Sequence, residues 1–338
     1  MATLGTSVLT LADVAKSFGP DGQVMTDVAE LLSQTNDIIP DILWKEGNLP
    51  TGHRMLARTS LPSINWRRAN KGVALGKSTK AQFDEVTGRM EAWSEVDEMI
   101  LDISSNPAAT RMDEASAFIE AMGQELADTL FAGNVSTAPD EFTGLGPRYN
   151  AAVSGTTVYY DSMINGQGSG NDNTSVWLVG WGNNKVFGIY PKGSSAGLSR
   201  MDQGKQILQE NTGDQATSRR VVYSEQFKWD CGIAVQDWRY VVRICNVDVS
   251  AVRADSGAAD LVKLMIAAIE RIPNLSACQP RFYMNRTLKT ALRIQGLNKS
   301  SYQTTFETVA GKPVTMFDGI PVRTVDALGI AEAAISFS

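Results

Sequence analysis

NPAATRMDEASAFIEAMGQELADTLFAGN, residues 106–134, is the stretch on which the reading of the whole chain turns. Asn106 is a favourable N-cap, and Pro107 falls at the first helical position, where its missing N–H costs nothing. Asp113 and Glu114 lie towards the positive end of the helix dipole. Met112, Ala115, Phe118, Ile119, Met122, Leu126 and Leu130 recur at three- and four-residue steps, so the spacing predicts one apolar face. Gly133 and Asn134 supply the stop. At ~1.5 Å per residue the rod is on the order of 40 Å long, longer than the average globular helix. Taken alone it is an ordinary core helix; the flanking sequence gives it another setting.

Upstream, residues 49–92 begin among turn residues (Asn48, Pro50, Gly52) and show strand-like alternation before a polar tip that contains Gly72 and Gly76. The pattern resumes at Phe83, Val86, Met90 and Trp93. It predicts a long hairpin or extended loop with few residues able to fill a core, a kind of segment that is usually functional or packed on a partner. Its charge is lopsided. Arg54, Arg58, Arg67, Arg68, Lys71, Lys77 and Lys80 meet no acid between positions 53 and 82, whereas Asp84, Glu85, Glu91, Glu95, Asp97, Glu98 and Asp102 face only Arg89. Two solvated faces are the plain reading of such segregation. The alternative sets the basic tip on the acidic stretch of a neighbouring copy, with Arg67, Arg68, Lys71, Lys77 and Lys80 meeting Glu91, Glu95 and Glu98.

Residues 1–48 read as an arm, with short helices expected at 9–18 and 24–35. Ile38, Ile39, Ile42, Leu43 and Trp44 form a dense apolar patch that serves either the chain's own core or a neighbouring subunit.

Downstream, residues 140–300 are mixed and glycine-rich. Short strands are expected at 158–160, 176–179, 186–190, 220–223, 232–235 and 240–244, with a surface loop at 165–173. Leu261, Leu264, Met265, Ala268, Ile269 and Ile272 predict a strong helix before Pro273. RFYMN (281–285) reads as a buried strand, residues 287–296 as a helix, and 313–325 as a hairpin turning at Asp318-Gly319. Helices and strands are mixed without regular alternation, which makes the chain α+β.

The composition is that of a globular protein, with 43% hydrophobic and 20% charged residues among 338. A net charge of -6 argues against general coating of nucleic acid. No apolar run reaches the length of a membrane span, and the N-terminus lacks the basic region of a signal peptide, so synthesis in a cytosol is expected. Cys231, Cys245 and Cys278 fit neither a disulfide framework nor a zinc pattern.

Three motifs point towards chemistry and fall short. GVALGKS (72–78) leaves three residues between its glycines where a phosphate-binding loop needs four. GSSAG (193–197) has the nucleophile-elbow pattern, but residues 198–205 make no convincing helix and the single histidine, His53, lies far upstream in what reads as a loop. Met163 stands where a calcium loop starting at Asp161 wants an oxygen ligand. No catalytic residue, cofactor site or metal site is assigned. An enzyme built on carboxylates alone and a β-rich tail or receptor-binding protein remain as rivals to the reading that follows.

KEGNLPTGHRMLARTSLPSINWR (45–67), NKGVALGKSTKAQ (70–82), EAWSEVD (91–97), TLFAGN (129–134), FTGLGPRYN (142–150), NTSVWLVGWG (173–182), RFYMNRTLKTALRIQ (281–295) and FDGIPVRTVDAL (317–328) together resemble the major capsid proteins of tailed phages with the Hong Kong 97-type fold, in particular a podophage group. The resemblance spans nearly the whole chain. It implies an N-terminal arm at 1–48, an extended loop at 49–90 lying over a neighbour, a peripheral domain at 91–140 and 301–338 with the long spine helix, and an axial domain at 141–300. It implies hexamers and pentamers of an icosahedral head around double-stranded DNA, with scaffolding, portal and cement proteins as further partners and no membrane. The arm and the basic loop are the natural givers in such heterologous contacts, with Ile38, Ile39, Ile42 and Trp44 as candidates on the arm. Some relatives link a loop lysine to a neighbour's asparagine. Lys71, Lys77 and Lys80 are available here, but the sequence does not place an asparagine and a catalytic carboxylate of a neighbour near them, and no cross-link is expected.

Overall fold

The computed structural model describes residues 33–104, 106–150, 159–209, 219–254, 260–298, 304–309 and 312–337. The helix expected at 9–18 and nearly all of that at 24–35 lie outside them. In chain order the elements are β1 (Trp44–Glu46), β2 (Gly52–Ser60), β3 (Thr79–Val86), β4 (Gly88–Asp97), α1 (Glu98–Ile103), α2 (Pro107–Ala132), β5 (Met163–Asn165), β6 (Asn173–Trp181), β7 (Val186–Tyr190), β8 (Leu198–Gln209) and β9 (Arg219–Val235). There follow β10 (Val241–Asp248), α3 (Val249–Arg253), α4 (Leu261–Arg271), β11 (Gln279–Met284), α5 (Arg286–Asn298), β12 (Thr304–Val309), β13 (Lys312–Phe317) and β14 (Ile320–Thr324). The mixture is α+β, as expected.

Two compact units divide the chain. The first gathers residues 89–126 and 197–230; the second holds 34–88, 127–196 and 231–338. This cut differs from the domain plan expected above, because 197–230 joins 89–126 while 301–338 stays with the second unit.

In the first unit β9 is flanked by β4 and by β8, whose antiparallel register runs from Leu198 opposite Trp229 to Gln209 opposite Arg219. Residues 198–205, rejected as a helix, are the start of β8. Its bulge between Asp202 and Gly204 puts Gly204 at φ +71°, the left-handed region where a glycine carries no Cβ penalty. The segments 220–223 and 232–235, read as separate strands, belong to the one strand β9. Of the residues between them only Ser224 and Asp230 favour turns, and both stay within the strand.

The long helix forms because its cap and its stripe agree. Asn106 Oδ1 accepts from the amide of Ala109 at 3.2 Å. Ala115, Met122 and Phe227 are buried together, with Phe118, Met90, Ala92, Leu198 and Trp229 against them, and Phe118 stacks on Phe227 at 5.8 Å between ring centroids. The apolar face is narrower than its spacing suggested. Met112 and Ile119 fall on the flank of the stripe and stay exposed. The helix stops at a crowded point: a Cβ on Gly133 would sit 2.6 Å from the Thr129 carbonyl oxygen and 2.7 Å from that of Phe142.

In the second unit β6 is buried along its whole length. β10 and β11 pair antiparallel on its two sides, with Val242 opposite Leu178 and Leu178 opposite Phe282. β5 extends the sheet in parallel beyond β10, and β14, β13 and β12 continue it beyond β11. β12 had no counterpart in the sequence reading. The β13–β14 turn is where it was expected, with Asp318 at φ +50° and Gly319 at +75°. β7 touches β6 at one register position and carries β1 in parallel and the end of β9 antiparallel. Residues 159–162 form a turn and a 3-10 segment instead of the strand expected at 158–160, whose residue 158 lies outside the described residues.

Candidate assembly surfaces

The hairpin of β2 and β3 grows out of a fixed base. Met55 and Phe83 pack with Phe187, Ile189 and Ala234. Asn48 brackets the first turn, its Oδ1 accepting from the Arg54 amide at 2.6 Å and its Nδ2 donating to the Arg54 carbonyl at 2.8 Å. His53, expected in a loop, stands in β2 with its ring edge-on to Phe187 at 5.5 Å. Burial, aided by Lys45, lowers its pKa, so it is a neutral packing residue at pH 7. Arg54 closes on Asp84 across the strands at 2.8 Å. The register carries the pair from Gly52 opposite Val86 out to Ser60 opposite Thr79, where Ser60 Oγ and Thr79 Oγ1 share a hydrogen bond of 2.7 Å.

Beyond that point, residues 61–78 form no strand. Arg67, Arg68, Lys71 and Lys77 lie in this tip and Lys80 just after it, all five exposed and none in a side-chain ion pair among the described residues. The apolar part of the tip was not singled out from sequence. Ile64 is 92% exposed, and Trp66 and Leu75 are as exposed as in an open chain, at 103% and 102%. Burying an aromatic side chain of this size removes 150–250 Å² from water, so leaving it open forgoes several kcal/mol, of order 25 cal/mol per Å². A cluster of such residues on a free tip marks a contact surface.

The arm divides. Ile38 is fully buried and Ile42 nearly so, inside this chain, and neither side chain is free to reach a neighbour. The assignment of these two to an inter-subunit contact is corrected: they pack in their own unit because the chain around them is bonded in place. Asp37 N–H donates to the Thr324 carbonyl at 3.0 Å, and Asp41 pairs with Arg323 at 3.0 Å and accepts from Tyr283 Oη at 3.2 Å. Ile39 and Trp44 are half-buried and Leu43 is exposed.

The acidic candidates also find partners close by. Glu91 accepts from Gln226 and Trp93, Glu95 pairs with Arg220 at 3.3 Å, and Glu98 pairs with Lys205. Sequence order hid this, because apart from Trp93 the partners come from β8 and β9, more than 100 residues on.

GVALGKS lies in the exposed tip. GSSAG is a turn followed by the strand β8, so the helix that a nucleophile elbow requires is replaced by extended chain. Among the described residues no cluster of three or more His, Cys, Asp or Glu is placed to hold a metal ion, and no helix is long and apolar enough to cross a membrane.

The profile of the family described as major capsid protein GP7 matches residues 19–336. Among solved structures, a chain of the near-atomic structure of bacteriophage epsilon15 superposes with a TM-score of 0.79 and 26% sequence identity, covering 99% of this chain and 100% of that one. A capsid chain of bacteriophage JBD30 covers 95% of this chain and 99% of that one, at a TM-score of 0.45 and 9% identity. No curated protein matches the sequence.

Proposed function

The chain belongs to the major capsid protein GP7 family and is a structural protein of the phage virion shell, with the Hong Kong 97-type fold; from that premise we propose that its copies close into hexamers and pentamers of an icosahedral head around double-stranded DNA. The hairpin tip carries this reading: Ile64, Trp66 and Leu75 stand in water beside five cations that have no ion partner among the described residues. A side chain of that kind gains its free energy only when a second surface covers it. The first unit serves as the peripheral domain with the start of the spine helix, and the second unit includes the axial domain. The half-buried Ile39 and Trp44 and the exposed Leu43 keep the arm as a second giving surface. The DNA is enclosed without sequence-specific binding, as expected for a net charge of -6. No catalytic role is assigned. Scaffolding, portal and cement proteins are partners of the assembled head.

The purified protein, alone and with the scaffolding and portal proteins of the same phage, is tested by sedimentation and electron microscopy. Rings or shells of megadalton size are expected. A small fixed oligomer under all of these conditions overturns the proposal.

A further inference from the structure

The helix α5 meets two different surroundings. Leu288, Ala291, Leu292 and Gln295 are buried, whereas Arg286, Thr290, Arg293 and Ile294 face out. Ile294 is 48% exposed. It edges a groove of about 310 Å³ between α5 and α3, floored by Val252 and Ala291 and rimmed by Thr287, Thr290 and Arg253. No carboxylate lines this groove, and α5 carries Arg286, Lys289 and Arg293 but no acid. Arg253 is exposed and joins no ion pair among the described residues. Burial and the cations Arg323, Arg293 and Arg286, opposed by Asp37, hold the Lys289 ammonium below its ordinary range. This side of the second unit is short of negative charge, although the chain as a whole carries -6.

The described residues begin at Ser33, and the chain enters beside the first turn of α5. Arg286 Nη2 donates to Thr35 Oγ1 at 3.3 Å and to Asp326 Oδ2 at 2.7 Å, and the Thr35 amide donates to the same Oδ2 at 3.0 Å. Residues 1–32 are acidic, with Asp13, Asp21, Asp27 and Glu30 against Lys16. Met25, Val28, Leu31 and Leu32 recur at helical spacing, with Asp27 and Glu30 beside that stripe.

We propose that residues 24–32 dock in this groove of their own copy as a helix antiparallel to α5, with Val28 and Leu31 over Ala291 and Ile294 and with Asp27 and Glu30 towards Arg253. Length, charge and tether agree. The segment spans ~13 Å at ~1.5 Å per residue, and α5 from Arg286 to Ile294 spans about 12 Å. Antiparallel helices bring opposite dipole ends together. Apolar knobs in a groove supply affinity, and the opposite charge fixes the orientation. Only Ser33 and Gln34 separate the segment from the anchored Thr35, so its effective concentration at the groove far exceeds that of a second copy's arm. Docking covers both Ile294 and the apolar stripe of the arm. The inference stands apart from the shell reading, because it concerns a single copy.

The test uses the full chain with Cys278→Ser, since the other two thiols are buried. Val28→Cys and Ile294→Cys are introduced singly and together, and the unassembled protein is oxidised at low concentration. A disulfide within one chain, seen as a faster band on a non-reducing gel, is expected for the double variant and for neither single one. Amide hydrogen exchange across 24–32 is the second readout. It is expected to be slow in the parent chain and severalfold faster in Arg253→Glu, with an unchanged melting curve because Arg253 is exposed. Asp27→Lys in the same chain should slow it again. Linked dimers in place of the faster band assign the groove to a second copy's arm and overturn docking on the same copy. No link, or exchange that Arg253→Glu leaves unaltered, overturns the docking outright. None of these outcomes touches the shell reading, which stands or falls by sedimentation and microscopy.

Discussion

Arg148 grips both carboxylate oxygens of Glu85, at 2.5 and 2.6 Å, and ties the root of the hairpin to the loop after the long helix. The same guanidinium donates to the carbonyls of Gly144 and Thr143, and both side chains of the pair are close to buried. Removing one partner of such a pair strands the other charge, at a cost of about 3–5 kcal/mol when burial is complete. Glu85→Ala is therefore expected to lower the unfolding free energy by ~3 kcal/mol, read by urea titration, and Arg54→Ala, which breaks a solvent-screened pair of the same hairpin, by much less. Equal effects of the two would mean that the Arg148 pair is as solvated as the Arg54 pair.

Met122 lies in the buried stripe of α2 with Ala115 and Phe227. Met122→Asp places an unpaired charge there and is expected to cost several kcal/mol. Soluble folded protein should be lost, not assembly alone. A normal melting temperature for this variant would refute the packing described here.

Asp41 anchors the arm through Arg323 and Tyr283. Asp41→Ala should destabilise the free subunit by about 1–3 kcal/mol, the usual cost of leaving such donors unsatisfied. Deletion of residues 1–44 removes Ile38 and Ile42 as well and should give an unfolded or aggregated product by circular dichroism and size exclusion. A folded monomer that only fails to assemble would return the arm to a purely intermolecular role.

Glu114 titrates above the ordinary carboxylate range because it is partly buried beside Asp113. A carboxyl whose folded pKa exceeds its unfolded one binds protons more readily in the native state, so it lowers stability as pH rises through that range. Glu114→Gln should raise the melting temperature of the unassembled protein at pH 7, with the gain shrinking below about pH 4, where the carboxyl is protonated in both states. No difference at pH 7 would show that the group is well solvated.

The proposed contact of the tip with a neighbouring copy is expected to respond to salt. The Debye length falls from about 10 Å at 0.1 M to about 3 Å at 1 M, and each exposed pair contributes only ~0.2–1 kcal/mol. Assembly should weaken as salt rises, while Trp66→Ser should remove it at every salt concentration without changing the melt of the free subunit. Light scattering across a salt series checks both. Unaltered assembly by Trp66→Ser would remove that side chain from the interface.

The sequence by itself determined the elements whose signals are local. The 106–134 helix was legible because a cap, a first-turn proline, a three-and-four spacing and a glycine stop coincide. The Asp318-Gly319 turn was legible because both residues sit at positive φ, which few other pairs tolerate. The hairpin at 49–90 showed in its alternation and its one-sided charge, and the family resemblance was carried by runs of residues along nearly the whole chain. Tertiary structure alone decided the rest, since each remaining question concerns a partner distant in sequence. Ile38 and Ile42 look like any apolar patch until Asp41 meets Arg323, 282 positions away. Glu95 and Glu98 look free until β8 and β9 bring Arg220 and Lys205 to them. The apolar weight of the tip was equally hidden: Ile64, Trp66 and Leu75 are unexceptional letters, and only the fold, by giving them nothing to pack on, leaves them for another surface. Periodicity reports which side of an element is apolar; what covers that side is set by long-range pairing.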